Sequence, residues 1–283
     1  MDSSSSSNTS VNVSDHARVI ILAGQSNMEG NSWINHLENH YDKQQIRLWT
    51  EGYESSQIIF NNSWGNYTSF NRYEKVELGQ GMSMNHFGPE VGIAETIDMA
   101  GFSEPVYMIK FAWGGSNLYN QWRSPSSGET GPLYVQFVDF IKSSLLTLEI
   151  KGLTPKIHAL CWMQGESDAD NNTPNPDSYY QRLKDFITDL REEFNDYACN
   201  TGIGFVDAYI SDSYVWARYQ TVNAAKKQLA DEDELNTVID TIALKLPYDK
   251  EPTAGVDPYH YDSNGMIELG RAFGATLFER FLY

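Results

Sequence analysis

The sequence has little of several things that often reveal a function. It contains only two cysteines, Cys161 and Cys199, without a CxxC pair, so neither a disulfide framework nor a cysteine-based metal or redox site is indicated. It lacks an apolar run of the roughly 20 residues that a membrane-spanning helix needs. Basic residues are scarce too, 20 against 38 acidic ones, and the net charge of -18 argues against a nucleic acid or an anionic membrane as partner.

Residues 1–16 have no apolar periodicity and are rich in Ser and Asn, a composition typical of flexible linkers. We therefore expect a flexible tail. Such a tail resembles what is left when an export or lipoprotein signal has been removed, although a plain disordered terminus has the same composition. On this basis we expect an exported protein that is secreted, periplasmic or tethered to a surface.

Beyond the tail, short apolar runs alternate with longer amphipathic ones. The apolar runs predict strands over residues 17–23, 105–112, 156–163 and 202–209. The amphipathic runs predict helices over residues 88–101, 133–150, 177–194 and 263–281. This alternation is typical of βαβ units, so we expect an α/β fold with a mostly parallel sheet and helices on both faces.

Residues 17–283 are interpreted as a single domain, since their number is within reach of one α/β domain with insertions. Residues 31–87 do not show the same alternation and are rich in Asn, Trp, Tyr, Gly and Ser. We expect a loop-rich insertion there, near the mouth of a site. The oligomeric state has no signature in the sequence.

Polar residues follow the predicted strands at the points where ligands bind in open α/β sheets, beyond the carboxyl ends of the strands. Three segments come directly after a strand, and the fourth precedes the last helix. They read GQSN (24–27), WGGS (113–116), QGESD (164–168) and DPYH (257–260).

These segments contain the residue types that acyl transfer through serine requires. Ser26 at a strand-to-helix turn would be the nucleophile, His260 the base, and Asp257 the carboxylate that orients the imidazole. The oxyanion would be bound by the backbone N–H groups of Ser26 and Gly115 and by the side-chain amide of Gln164. Gly114 is an alternative to Gly115.

The four segments, in this order, resemble those of the SGNH-hydrolase superfamily. Within it they resemble the branch that includes acetylxylan esterases of carbohydrate esterase family 6 and sialate O-acetylesterases. In that branch the nucleophile segment reads GQSN rather than GDSL, and the third segment carries QGE in place of the asparagine of other branches. FGPE (87–90) also resembles a segment of that branch. The resemblance implies a flavodoxin-like three-layer α/β/α sandwich. It also implies a Ser-His-Asp esterase that removes O-acetyl groups from a carbohydrate without a metal or cofactor.

Several assignments have alternatives. His86 is a rival base with only Glu90 as a nearby carboxylate, and it is equally a candidate for the wall of the pocket. Asp262 is a rival carboxylate for His260, although capping the last helix explains it better.

Gln25 and Glu166 are candidates for substrate contacts or for support of the site. Glu166 and Asp168 also raise the possibility of a metal site, but no cluster of His or Asp with ligand spacing accompanies them.

The substrate is expected to be an acetylated polysaccharide such as xylan, with an O-acetylated sialic acid as the alternative. Sialic acid carries a carboxylate, for which Arg123 is a candidate partner. At most two of the tryptophans in loop-rich stretches would be sugar platforms: Trp33, Trp49, Trp64 and Trp122. A non-catalytic carbohydrate-binding protein and a lipase or thioesterase are further alternatives.

Overall fold

Strands and helices alternate along most of the chain. The computed structural model describes residues 16–63, 67–170 and 176–282, so residues 1–15 of the predicted tail lie outside it. The longer strands are β1 (His16–Gly24), β3 (Tyr53–Asn62), β7 (Val106–Ala112), β8 (Thr154–Met163), β9 (Gly204–Ala208) and β10 (Asn236–Ile239). The short strands are β2 (Ser32–Trp33), β4 (Tyr67–Thr68), β5 (Glu74–Val76) and β6 (His86–Phe87). The α-helices are α1 (Ser26–Glu29), α2 (Lys43–Glu51), α3 (Glu90–Ala100), α4 (Pro132–Ile150), α5 (Tyr179–Glu193), α6 (Tyr219–Glu232) and α7 (Ser263–Arg280).

The long strands form one parallel sheet in the order β10–β9–β8–β1–β7–β3. The run β7–β1–β8–β9–β10 has the flavodoxin-like order 2-1-3-4-5, and β3 extends it beyond β7. Two short strands, β4 and β5, pair antiparallel with the outer edge of β3. The predicted α/β sandwich with a mostly parallel sheet is confirmed. After β1 the chain forms β3 and then β7 on one side of β1 and next β8 on the other, so the strand order reverses at β1.

Helices flank this sheet. Near β7 and β8, the ring of Phe137 in α4 stacks on the ring of Phe186 in α5, with 6.1 Å between their centroids. The ring of Trp162 in β8 lies 4.7 Å from that of Phe186. Elsewhere α3 packs against α7 through glycines: a Cβ on Gly92 would lie 2.4 Å from the Ile267 carbonyl oxygen. Such a close crossing requires a residue without a side chain at this position. None of the described helices combines the length and apolar character needed to cross a membrane.

The interpretation of residues 31–87 as loop-rich was wrong. This segment contains α2 and the ten-residue strand β3, which pairs with β7 over seven residues. The apolar part of β3 is only Ile58–Phe60, and its other residues are mostly polar, so the segment did not read as a strand. Helix α6 and the edge strand β10 were not predicted either.

Candidate active site

The turn after β1 places Ser26 at the point where the strand order reverses. Gly24 ends β1 with a φ of +148°, and a Cβ there would lie 2.0 Å from the Met163 carbonyl oxygen at the end of β8. The same oxygen accepts the N–H of Gln25 at 2.9 Å. Ser26 is then the first residue of α1, where its own N–H has no acceptor within the helix. The close approach of β1 and β8 thus fixes where the serine begins its helix.

Asp257 and His260 form a hydrogen-bonded pair within one loop before α7. His260 Nδ1 lies 2.8 Å from Asp257 Oδ2, while Asp257 Oδ1 accepts the N–H groups of Tyr259 at 3.0 Å and His260 at 3.3 Å. Burial alone would raise the pKa of Asp257, but these hydrogen bonds and the charge of His260 lower it. An ionised Asp257 therefore selects the tautomer with a proton on Nδ1 and leaves Nε2 to accept one.

The rival carboxylate Asp262 makes different contacts. It occupies the N-cap position of α7, but its side chain makes no hydrogen bond to the helix. Its Oδ1 instead accepts the N–H groups of Lys250 at 3.1 Å and Glu251 at 3.3 Å. Asp262 thus stabilises the preceding loop instead of capping α7. The carboxylate that contacts His260 Nδ1 is Asp257.

Hydrogen bonds connect the loop of His260 to the segment that follows Ser26. Asn27 accepts the Tyr261 N–H at 3.1 Å, and the Ser32 hydroxyl donates to the Tyr261 carbonyl oxygen at 2.7 Å. In the described part of the chain, no hydrogen bond joins the Ser26 hydroxyl to His260 itself. Catalytic hydrogen bonds are often long without substrate and shorten in the Michaelis complex.

The loop after β7 distinguishes between the two candidate glycine donors. The Gly114 N–H donates to the Ser63 hydroxyl at 3.3 Å. The Gly115 N–H has no partner among the residues that the structure describes, and Gly115 has a φ of +67° that favours glycine. A Cβ on Gly114 would lie 3.8 Å from the Ser26 Cβ, so this loop borders the serine. Of the two glycines, Gly115 has the N–H that is available to an oxyanion.

Gln164 is fully buried, and its amide is hydrogen-bonded within the protein. Its Nε2 donates to Asp168 Oδ2 at 2.6 Å and to the Ser116 carbonyl oxygen at 3.1 Å. Its Oε1 accepts the Tyr179 hydroxyl at 3.1 Å. Gln164 is therefore a structural link between loops in this arrangement, and the predicted oxyanion role would require it to give up one of these bonds.

Gln25 is also a link between loops rather than an exposed substrate contact. It is 2% exposed, and its Oε1 accepts the N–H groups of Ser167 at 3.2 Å and Gly165 at 3.4 Å. The turn of the serine is thereby attached to the loop after β8 by a side chain as well as by the backbone.

Asp168 holds the loop that carries Gly115. Its carboxylate accepts the N–H groups of Leu118 at 2.8 Å and Tyr119 at 3.0 Å as well as the amide of Gln164. Burial raises the pKa of Asp168 to about 6, although these hydrogen bonds act in the opposite direction. Protonation weakens these three hydrogen bonds, but it also removes the larger free-energy cost of holding a buried charge.

The buried Asp168 predicts a pH dependence of stability. Between about pH 4 and about pH 6 the folded protein retains a proton on this carboxyl that the unfolded chain has released. Its contribution to the free energy of unfolding therefore falls as the pH rises through this window, by up to about 3 kcal/mol. We expect the difference in unfolding free energy between wild type and Asp168→Asn, measured in urea, to decrease accordingly. A difference that is constant from pH 4 to pH 6 would contradict the assignment.

Comparison with known proteins identifies the family. The family described as "Carbohydrate esterase, sialic acid-specific acetylesterase" matches residues 16–279. The chain belongs to this family. It is accordingly a carboxylic ester hydrolase of the carbohydrate acetylesterase group. A search of curated proteins gives no match.

Solved structures share the fold of this acetylesterase at low sequence identity. A protein from Arabidopsis thaliana is 19% identical with a TM-score of 0.64, and the match covers 93% of this chain and 98% of that one. NanS is 15% identical with a TM-score of 0.63, and the match covers 94% and 98%. A carbohydrate acetylesterase from Xanthomonas citri, XAC1771, is 13% identical with a TM-score of 0.57, and the match covers 93% of this chain and 56% of that one.

Next to the Asp257–His260 pair of this acetylesterase lie His86 and Trp33. Burial lowers the pKa of His86, and the charge of His260 lowers it further. Its Nδ1 lies 2.8 Å from the Ser83 hydroxyl, so the ring lacks the carboxylate partner that His260 has. Trp33 contacts the His86 ring at 4.1 Å between centroids and is 46% exposed. His86 therefore lies buried near His260 without a carboxylate partner among the described residues, and the exposed Trp33 ring covers it.

The other candidate tryptophans are not available to a sugar or are not described. Trp49 and Trp122 are completely buried in the core. Trp64 lies outside the described residues. Among these candidates, Trp33 is the one that the structure places at the site's surface.

The Arg123 guanidinium group, a candidate partner for a substrate carboxylate, is hydrogen-bonded to a backbone carbonyl oxygen. Its Nε and Nη2 donate to the Tyr119 oxygen at 2.9 and 2.8 Å, and Arg182 Nη1 donates to the same oxygen at 2.9 Å. The two guanidinium groups therefore stabilise the loop after Gly115.

The carboxylates considered as metal ligands have other partners. Asp168 binds N–H donors, and Glu166 is buried with its Oε1 accepting the Asn27 side-chain amide at 2.8 Å. Within the described ranges, no group of three or more His, Cys, Asp or Glu side chains is arranged to hold a metal ion. Asn27 was not among the predicted site residues; the only sequence signal for it was its place in GQSN.

Proposed function

We propose that the protein removes O-acetyl groups from a carbohydrate through an acyl-enzyme formed on Ser26. The observation that carries this proposal is the 2.8 Å contact between His260 Nδ1 and Asp257, in a loop hydrogen-bonded to the residue after Ser26. Membership of the carbohydrate acetylesterase family supplies the class of ester.

In the proposed mechanism, Ser26 Oγ attacks the acetyl carbonyl carbon while His260 Nε2 takes the hydroxyl proton. The N–H groups of Ser26 and Gly115 would bind the negatively charged oxygen of the tetrahedral intermediate. This intermediate collapses when His260 returns the proton to the departing sugar oxygen, which leaves an acetyl group on Ser26. Water then attacks the acetyl-enzyme with His260 as base, and acetate is released.

A neutral polysaccharide such as acetylated xylan is the substrate class we propose first. The chain carries a net charge of -18, which disfavours an anionic ligand, and Arg123 donates to a backbone carbonyl. The exposed Trp33 ring near His260 is a surface on which the face of a sugar can stack. An O-acetylated sialic acid is the second candidate, and the description of the family favours it.

Acetate release from acetylated xylan and from O-acetylated sialic acid, measured side by side, tests this proposal. We expect release from xylan that Ser26→Ala eliminates. Acetate release from O-acetylated sialic acid alone would contradict the proposal of a neutral substrate but would still support esterase activity. A small aryl acetate serves as a third substrate. Absence of release from all three would contradict the proposed function and favour a carbohydrate-binding protein.

A further inference from the structure

We propose that Asn27 is a positioning residue that sets His260 against Ser26, and that buried Glu166 fixes the orientation of Asn27. This inference rests on the proposed function, because it concerns the alignment of the nucleophile with its base. Asn27 directly follows Ser26 in α1 and is 2% exposed. Its side chain reaches across more than 200 positions of sequence to the loop of His260.

Asn27 contacts the peptide groups on both sides of His260. Its Oδ1 accepts the Tyr261 N–H at 3.1 Å, and its Nδ2 lies 3.4 Å from the Tyr259 carbonyl oxygen. Two contacts that bracket one residue restrict both the translation and the rotation of its backbone. Asp257 orients the imidazole within its own loop, whereas the contacts of Asn27 join that loop directly to the residue that follows Ser26.

Glu166 determines which way the Asn27 amide faces. Its Oε1 accepts Asn27 Nδ2 at 2.8 Å, so Oδ1 is left to face the Tyr261 N–H. Glu166 is completely buried, and its Oε2 has no hydrogen-bond partner among the described residues. Burial raises the pKa of Glu166, so holding a carboxylate here costs free energy. An acceptor for Asn27 is a reason to hold a carboxyl group at this position.

Kinetics of Asn27→Ala test the proposal. We expect kcat on an aryl acetate to fall roughly 10- to 100-fold, because a displacement of about 1 Å between reacting groups has an effect of this size. KM should change less than about threefold, since Asn27 holds the base rather than the substrate.

A matched control separates positioning from stability. Asn223 is buried and brackets a backbone segment in the same way, accepting the Ile210 N–H at 2.9 Å and donating to the Ile210 carbonyl oxygen at 3.0 Å. Asn223→Ala should lower the melting temperature without lowering kcat. An equal loss of kcat in Asn27→Ala and Asn223→Ala would overturn the proposal.

Two further variants test the link to Glu166 and provide for a misfolded Asn27→Ala protein. Glu166→Ala removes the acceptor and should lower kcat, whereas Glu166→Gln retains an acceptor oxygen and should recover part of the loss. The losses of Asn27→Ala and Glu166→Ala should not multiply in the double variant, because both act on one contact. Fully multiplicative losses, or a wild-type kcat in Glu166→Ala, would contradict the inference. If wild type and Ser26→Ala were equally active, the proposed function itself would fail.

Discussion

Replacing Ser26 with alanine is expected to lower the turnover of every acetyl ester by at least about 10⁴-fold, because the acyl-enzyme can no longer form. The fold should be retained. Ser26 makes no side-chain hydrogen bond among the described residues, and alanine is a good residue for the first turn of a helix. The measurement is acetate release under saturating substrate, together with a thermal melt of the same preparation.

Ser63→Ala is the control for the loss of a hydroxyl near the site. Ser63 accepts the N–H of Gly114 at 3.3 Å and has no part in the proposed bond-making steps, so its variant should retain far more turnover. Acetate release by Ser26→Ala within tenfold of wild type would exclude the serine mechanism.

Replacing Asp257 with asparagine is expected to reduce kcat by about 10⁴-fold, the size seen when the orienting carboxylate of another serine hydrolase is made neutral. Asp257 Oδ1 accepts the N–H groups of Tyr259 and His260, so an asparagine oxygen would take that position. Its NH₂ group would then face His260 Nδ1 as a donor. The imidazole would have to accept at Nδ1 and carry its proton on Nε2, where it could not take the proton of Ser26.

Asp262→Asn is the matched variant, because Asp262 lies in the same part of the chain and also binds two backbone N–H groups. We expect a loss of stability there and a much smaller loss of kcat. The opposite ranking of the two variants would transfer the orienting role to Asp262.

The parallel sheet could be predicted because its central strands are continuous apolar runs, which are typical of strands buried on both faces. Strand β3 could not, since most of its residues are polar and some of them find hydrogen-bond partners only outside the strand. Asn62 Nδ2, for example, donates to the carbonyl oxygens of Gln80 at 3.1 Å and Gly81 at 2.6 Å. Such partners become known only from the folded structure, so the local pattern of Ser and Asn residues predicts a loop.

The same distinction applies to the site. Asp257 and His260 are three residues apart, and their contact follows from the local sequence. The contacts of Gln25 with Ser167 and of Asn27 with Glu166 join residues separated by 142 and 139 positions. Nothing in the local sequence distinguishes a donor left free for substrate from one already used, as the amide of Gln164 shows.

The two short strands beside β3 also affect whether this edge of the sheet can pair with a second chain. A bare outer strand offers unpaired N–H and C=O groups on which a second chain can assemble. Here β4 and β5 occupy parts of that edge with only two and three residues, and the charged Glu74 and Lys75 lie in β5. This end of the sheet is therefore a poor template for the growth of intermolecular β-structure.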